Sequence, residues 1–450
     1  MQPINLKLIQ DVQEAVSSGN RKALIKIIDS LRPADVADLI EHLDKNERLF
    51  ILNCLEPEGA GEVLMELEDP VKNSILNHLD TRTISEIVQE LDSDDAADLV
   101  GDLPESRARE VIESVNDEVS EDLEKLLPFP EDSAGGIMAL EFVSVKAEST
   151  IHEAIEVIRQ KSSEVENLYH VWVVDDYNRL VGVISLKDLL LSDSQSKVND
   201  IMNHEVISVN CYEDQEQVIN IVRKYNLVHV PVVDNFGRLI GRITHDDIMD
   251  AIAEETYEDF SLMGGVIDQD PAEESVFKIS KARLPWLIVG MGGEILAALL
   301  ITQFQATLET LVILAFFFPV MMATGGNTGS QAAILVVRGL ATGDISFLGI
   351  GKRLFKELRV TFINGLTCGI ILGTVVTLWF SNYILGIVVA MALLTIITCA
   401  GLIGAIVPFG LKRFNIDPAL GTGPFVTTSN DIISLFIYLS FVTVFLKFLI

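Results

Sequence analysis

Three spacings of apolar residues divide the chain. Over the first 130 residues Leu31, Leu43, Leu55, Leu67, Leu79, Leu91, Leu103, Val115 and Leu127 recur every twelve positions, each preceded four residues earlier by Ile27, Leu39, Ile51, Val63, Ile75, Ile87, Leu99, Val111 or Leu123. An i, i+4 pair marks one face of a helix, and Asp44, Glu56, Asp80, Pro104 and Pro128 predict where the helices stop. Two-turn helices cannot bury a face alone, so residues 1–130 are expected to stack into an all-α superhelix. Over 131–250 the spacing changes. VWVVDDYNRLVGVISLKDLL (171–190) recurs as VPVVDNFGRLIGRITHDDIM (230–249), and Ile137-Met138 recurs as Ile201-Met202. Each copy predicts strand, turn at Asn178 or Gly237, strand and helix, with a further amphipathic helix from IHEAIEVIRQK or QEQVINIVRKY.

Residues 251–283 predict an acidic connecting helix, AIAEETYEDFSLMGG, then a loop over 266–274 and a second helix reaching Lys278, Lys281 and Arg283. From Leu284 to residue 450 there are five apolar spans of bilayer length, roughly 284–303, 311–337, 360–380, 384–411 and 425–449. The fold class is therefore a multi-domain membrane protein: an all-α N-terminal domain, an α/β pair, and a five-helix transmembrane domain.

Charge sharpens this division. The chain carries a net −32, whereas residues 284–450 hold six acids against eight Lys and Arg, so the first 283 residues carry −34. Such a surface repels nucleic acid and lipid headgroups and attracts cations; ordinary solvation explains it equally well. Cys54, Cys211, Cys368 and Cys399 are too scattered for a zinc site or a disulfide scaffold. No nucleophile with a base suggests an enzyme. The acidic N-terminus has no apolar signal segment, which predicts a cytoplasmic front half. Arg338, Lys352, Arg353, Lys356, Arg359, Lys412 and Arg413 occupy alternate loops, which predicts a multi-pass protein of the cell (inner) membrane with its C-terminus outside.

Asp431 is the one acid of the last span. An ionisable group at membrane depth needs a partner, water or an ion, so it is read as a cation site, against the alternative of a polar pair inside an inert bundle. Thr427, Asn430 and, in the second span, Asn327 would line the path; packing between helices is an equal reading for each. Glu294, in the first span, is either a structural partner or a second ion contact. Five spans per chain suit a homodimer of ten helices with a pore on its twofold axis.

Both halves of the α/β pair carry a G-h-x-[ST]-x-x-D ending, Gly182, Ser185, Asp188 and Gly241, Thr244, Asp247, and so resemble tandem CBS domains. That resemblance implies an adenine nucleotide, although the same residues equally start the following helix. The order of domains, with RLPWL (283–287), PVMMATGGNTGSQ and DPALGTGPFVTTSND (417–431), resembles the MgtE family of magnesium channels over essentially the full chain. The resemblance implies a homodimeric Mg²⁺ importer closed by cytosolic Mg²⁺. It makes Asp431 the pore carboxylate, and it places sensor acids at Glu62, Asp94, Asp98, Asp214, Glu216, Asp246, Asp247, Asp250, Glu254, Glu255, Glu258, Asp259 and Asp417. Its nucleotide site falls on Lys187, Asp188, Ile207 and Leu227, where Lys187 replaces a bidentate Arg and Leu227 an aromatic, so ATP stays open. The alternatives are a carrier of Mn²⁺ or Co²⁺ and a membrane-anchored nucleotide sensor. The spans contain no imidazole, which disfavours soft metals.

Overall fold

The computed structural model describes residues 6–161, 165, 168–265, 276–341, 350–414 and 416–449. The loop expected over 266–274 lies outside them. The chain divides into two compact units, Met1–Ile252 and Ala253–Ile450.

The first unit opens with α1 (Leu6–Ser17), α2 (Arg21–Ile28), α3 (Pro33–Glu41), α4 (Lys45–Leu52), α5 (Pro57–Met65), α6 (Asp69–Leu76), α7 (Thr81–Val88), α8 (Ser93–Gly101), α9 (Glu105–Ile112) and α10 (Asp117–Leu126). From α2 onward the helices start every twelve residues, as the repeat predicts. The helix boundaries differ from the prediction. Each periodic leucine lies beyond its helix, in a tightened turn such as Leu43 N to Ile40 O at 3.1 Å, and the residue after it caps the next helix. Asp44 accepts hydrogen bonds from the Asn46 and Glu47 amides, and Asp80 accepts one from Thr83. Leu43, Leu67, Leu79 and Leu103 are still core, whereas Leu127 is exposed. The polar residues thus begin helices, because a free first-turn amide attracts an Asx side chain more strongly than a last turn rejects it. Basic side chains satisfy the opposite ends: Arg48 donates to the Ile40, Glu41 and Leu43 carbonyls, and Arg107 to those of Leu76 and Leu79.

The α/β pair follows with β1 (Ser144–Lys146), α11 (Ile151–Lys161), β2 (His170–Val174), β3 (Leu180–Ser185), α12 (Leu186–Leu191), β4 (Val209–Asn210), α13 (Gln215–Tyr225), β5 (Val230–Val233), β6 (Leu239–Ile243) and α14 (His245–Gly264). Each sheet has a parallel pair and an antiparallel pair, in the orders β1-β2-β3 and β4-β5-β6. Asn178 and Gly237 take the positive φ that these turns require. The two halves exchange their leading segments. Ala139 bridges to Arg242 and Asn203 to Val183; Met138 packs over Gly241 and Met202 over Gly182, where any Cβ would strike the methionine sulfur. The paired glycines of the repeat are therefore seats for the other half's methionine.

The second unit contains the remainder of α14, then α15 (Val276–Gln303), α16 (Gln305–Thr310), α17 (Phe318–Ala341), α18 (Ile350–Phe380), α19 (Tyr383–Arg413) and α20 (Pro424–Leu449). Among the described residues, five helical segments are long and apolar enough to cross a membrane: Ile279–Gln303, Val312–Ala341, Ile350–Phe380, Tyr383–Arg413 and Pro418–Phe448. Helix α19 packs against α17, α18 and α20, while α20 also packs against α15. Lipid supplies no hydrophobic drive between helices, so close contact rests on small residues. Gly365, Gly369 and Gly373 lay α18 against the Leu394, Ala390 and Gly386 carbonyls of α19.

Candidate functional site

The intramembrane site is built where α20 crosses the glycine-rich turns of α17. A Cβ at Gly326 would lie 3.2 Å from Asp431 Oδ1 and 3.3 Å from the Thr427 methyl, so the absent side chain makes room for both. Ser330 Oγ stands 3.3 Å from Thr427 Oγ1. Asp431 is half-buried, and Asn327 and Thr427 are exposed on the surface of the single chain. Asn430 departs from this group. It is 0% exposed, leans on Gly329 between α17 and α20, and neither its amide nitrogen nor its oxygen has a hydrogen-bond partner. Glu294, on α15, stands close to Asp431. Nothing in the sequence connects these two residues.

Just before α20, Asp417 caps the short 3₁₀ turn Pro418–Gly421 by accepting from the Ala419 amide at 2.7 Å. Gly423, two residues on, receives the end of α14: a Cβ there would fall 2.9 Å from the Met263 carbonyl oxygen and 3.3 Å from that of Leu262. Helix α14 carries Glu254, Glu255, Glu258 and Asp259 in two adjacent rows.

In the first unit the structure gathers several predicted acids. Asp94, buried at the start of α8, faces Asp247 in the first turn of α14; burial first, then Asp247, Asp95 and Glu141, raise its carboxyl well above the ordinary value. Asp95, which the sequence reading passed over, is pushed to about 7 by burial and by Asp247, Asp92, Asp246 and Asp250. Asp247 is pushed to about 6 by burial, against the lowering effect of hydrogen bonds from Thr244. Asp250 is raised by burial and Asp246, and Glu66 by burial, Asp250 and Asp38. Glu141 braces the cluster by accepting from both Ser93 N and Oγ, at 3.1 and 2.7 Å. The signal for Asp95 was present in SDDAAD, but helical periodicity put it on a neighbouring face.

Other predicted residues lie apart. Glu62 and Asp98 are exposed on α5 and α8. Asp214 caps α13, accepting from the Glu216 amide at 2.9 Å. Asp188 and Ser185 cap α12 reciprocally, through Ser185 Oγ to Asp188 Oδ2 at 2.6 Å and Asp188 N to Ser185 Oγ at 3.1 Å. Lys187 is exposed, and Ile207 and Leu227 are half-buried. A Tyr169–His229 ring stack at 5.4 Å lies nearby, with both His229 ring nitrogens unpartnered. Among the described residues no three His, Cys, Asp or Glu side chains form a group that could hold a metal ion.

The acid cluster gives a pH dependence with a definite sign. A carboxyl whose folded value exceeds its unfolded value of about 4 stabilises the α8–α14 contact at low pH and loses that contribution as pH rises through the folded value. The window therefore runs from about pH 4 to about pH 7, set by Asp95 and Asp247. Without divalent ions, opening of residues 93–101, read by hydrogen exchange corrected for intrinsic rate, should be about tenfold rarer at pH 6 than at pH 8, as one group titrating near 7 requires. Equal protection at the two pH values would contradict the burial of the cluster.

A model of the MgtE family, described as divalent cation transporter, matches residues 318–441. The MgtE intracellular N domain matches 31–132, and CBS domains match 134–194 and 198–254. The chain is 37% identical over 326 residues to the magnesium transporter MgtE of Enterococcus faecalis, covering 72% of each chain. It is 37% identical over 320 residues to that of Thermus thermophilus, covering 71% of each. A crystal structure of the cytosolic domain of the Mg²⁺ channel MgtE in complex with ATP aligns with 54% of this chain and 99% of its own, at 32% identity and a TM-score of 0.51. The soluble part of a magnesium transporter aligns with 55% and 98%, at 30% identity and a TM-score of 0.50.

Proposed function

Because the chain belongs to the MgtE family of divalent cation transporters, we propose that it imports Mg²⁺ through a pore on the twofold axis of a homodimer, with the N-terminal domains in the cytoplasm and the C-terminus outside. The observation that carries this reading is Asp431, a carboxylate at membrane depth, beside exposed Thr427 and Asn327, within the span matched by the transporter model. Mg²⁺ parts with its waters reluctantly and is usually held through one or two carboxylates. Two Asp431 side chains across a twofold axis would hold the hydrated ion through its waters. The alternative of a carrier for Mn²⁺ or Co²⁺ has no such support from the relatives, both of which are named for magnesium.

Cytosolic Mg²⁺ closes this pore. When Mg²⁺ is scarce, Asp94 and Asp95 repel Asp246, Asp247 and Asp250; dications between them neutralise the cluster and hold the first turn of α14. Glu62, Asp98, Asp214 and Glu216 add weaker sites, and the connector acids and Asp417 do the same near the pore mouth. The pore closes where the end of α14, at the carbonyls of Leu262 and Met263, seats on Gly423. Moving an equilibrium from mostly open to mostly closed takes about 5.5 kcal/mol of differential binding, more than one weak site supplies. ATP, bound in the related cytosolic domain, would meet Lys187, Asp188, Ile207 and Leu227 in the CBS pair.

Reconstituted liposomes test both parts. The wild type takes up Mg²⁺, and millimolar Mg²⁺ on the cytosolic face suppresses uptake; Gly423→Val, whose side chain excludes the end of α14, keeps at least half of its uptake under that suppression. Uptake of Co²⁺ or Mn²⁺ but not Mg²⁺ would transfer the function to the alternative, and equal suppression of both proteins would remove the gate from Gly423.

A further inference from the structure

Helix α18 packs against α19 through Gly365, Gly369 and Gly373. A second face of α18, about a quarter turn round the helix, presents Lys352, Lys356, Arg359, Ile363, Leu366 and Ile370, spaced four and three residues apart and all exposed. The six form one continuous stripe, because that spacing returns to the same side of a helix. Its first half is cationic and its second half aliphatic. Lys352 to Arg359 rise by about 10 Å along the axis, a depth on the scale of one headgroup layer, and Ile363 to Ile370 continue into the span Ile350–Phe380.

Two further observations point to an anion over the first half. From Ile350 to Arg413 the sequence holds one acid, Glu357, against six Lys and Arg, and Glu357 is buried and turned to Arg353, 3.6 Å away. Lys352, Lys356 and Arg359 have no ion-pair partner among the described residues. Lys412 and Arg413 close α19 at the same level, since Leu354 packs in the cluster that holds Phe409. Cations in the first turns of a helix also oppose its dipole. Because α18 begins at Ile350, the placement of the stripe costs the helix stability that a bound anion offsets.

We propose that this stripe is a binding site for an anionic phospholipid, its phosphate held by Lys352, Lys356 and Arg359 and its acyl chains laid along Ile363, Leu366 and Ile370. A soluble phosphate ester meets only the cations. A zwitterionic lipid meets the aliphatic residues but brings its own ammonium to the cationic end. A lipid whose headgroup carries net negative charge satisfies both halves at once, with each Lys or Arg near the phosphate adding to the attraction. In the topology proposed above, the site lies in the cytoplasmic leaflet.

Full-length protein, delipidated in a neutral detergent, is titrated with phosphatidylglycerol or phosphatidylcholine of the same acyl chains, and bound lipid is counted by native mass spectrometry. Phosphatidylglycerol should bind at least about tenfold more tightly, since each Lys or Arg near an anionic headgroup is worth about fivefold. The triple variant Lys352→Gln, Lys356→Gln, Arg359→Gln should lose that preference, whereas Lys447→Gln, at the far end of α20, should keep it. Equal affinity of the wild type for the two lipids, or an unchanged preference in the triple variant, would overturn the proposal. Glycerol phosphate at equal concentration should not displace the lipid; displacement would assign the cations to a soluble anion instead. Should the triple variant fail to fold, acetylation of the wild type decides. Phosphatidylglycerol should slow modification of Lys352 and Lys356 while phosphatidylcholine does not, and equal rates with the two lipids would remove the site.

Discussion

Asp431→Ala should reduce Mg²⁺ uptake by reconstituted protein to the level of empty liposomes, a fall of at least about a hundredfold by the scale of a lost charge contact in a low-dielectric site. The replacement removes the carboxylate proposed to meet the ion on α20, and Gly326 opposite offers nothing to replace it. Thr427 and Ser330 remain, 3.3 Å apart, but neutral hydroxyls attract a dication far less. The fold should survive, since Asp431 is only half-buried and its loss leaves Gly326 with more room, not less. Uptake by Asp431→Ala equal to that of the wild type would mean that the ion passes elsewhere.

The second large effect concerns stability. Gly329 lies between two close approaches: on one side Asn430 occupies the space of its missing side chain, and on the other a Cβ at Gly404 would strike the Gly329 carbonyl. At this residue α17 therefore touches α19 at backbone distance while side chains of α20 fill its other flank. Gly329→Val must push α17 away from α20, and overpacking with loss of several contacts costs more than about 3 kcal/mol. The detergent-solubilised protein should unfold at a markedly lower temperature or fail to assemble, followed by the temperature dependence of monodisperse elution. Gly351→Ala, also in a helix but with nothing within 4 Å of a Cβ, is the control and should be close to neutral. Comparable behaviour of the two variants would show that the glycines of α17 are not packing seats.

Much of the architecture was legible along the chain because it rests on periods. A twelve-residue repeat, a duplicated α/β unit and five apolar stretches each recur often enough to exceed local variation, and the helices from α2 to α10 do start every twelve residues. The misread leucines illustrate the limit of that reasoning. Leu43 and Leu67 are buried as the pattern predicts, but periodicity reports which side a residue faces, and only hydrogen bonding tells whether Asp44 ends one helix or begins the next. The paired glycines of the CBS repeat were likewise visible as a motif, whereas their use as seats for Met138 and Met202 depends on segments exchanged between halves.

The candidate sites divide in the same way. Residue type and membrane depth alone single out Asp431, because an acid among some twenty apolar neighbours is conspicuous in one dimension. Its partnership with Glu294, 137 positions earlier in the chain, and the withdrawal of Asn430 into the α17–α20 contact are invisible there. So is the meeting of Asp94 and Asp95 with Asp247. Local propensity and hydrophobic spacing act over a turn or two and are written in neighbouring residues. Electrostatic encounters between carboxylates depend on how rotated and how close two packed elements are, and those quantities are set by side-chain volumes, above all by glycines, at contacts remote in sequence.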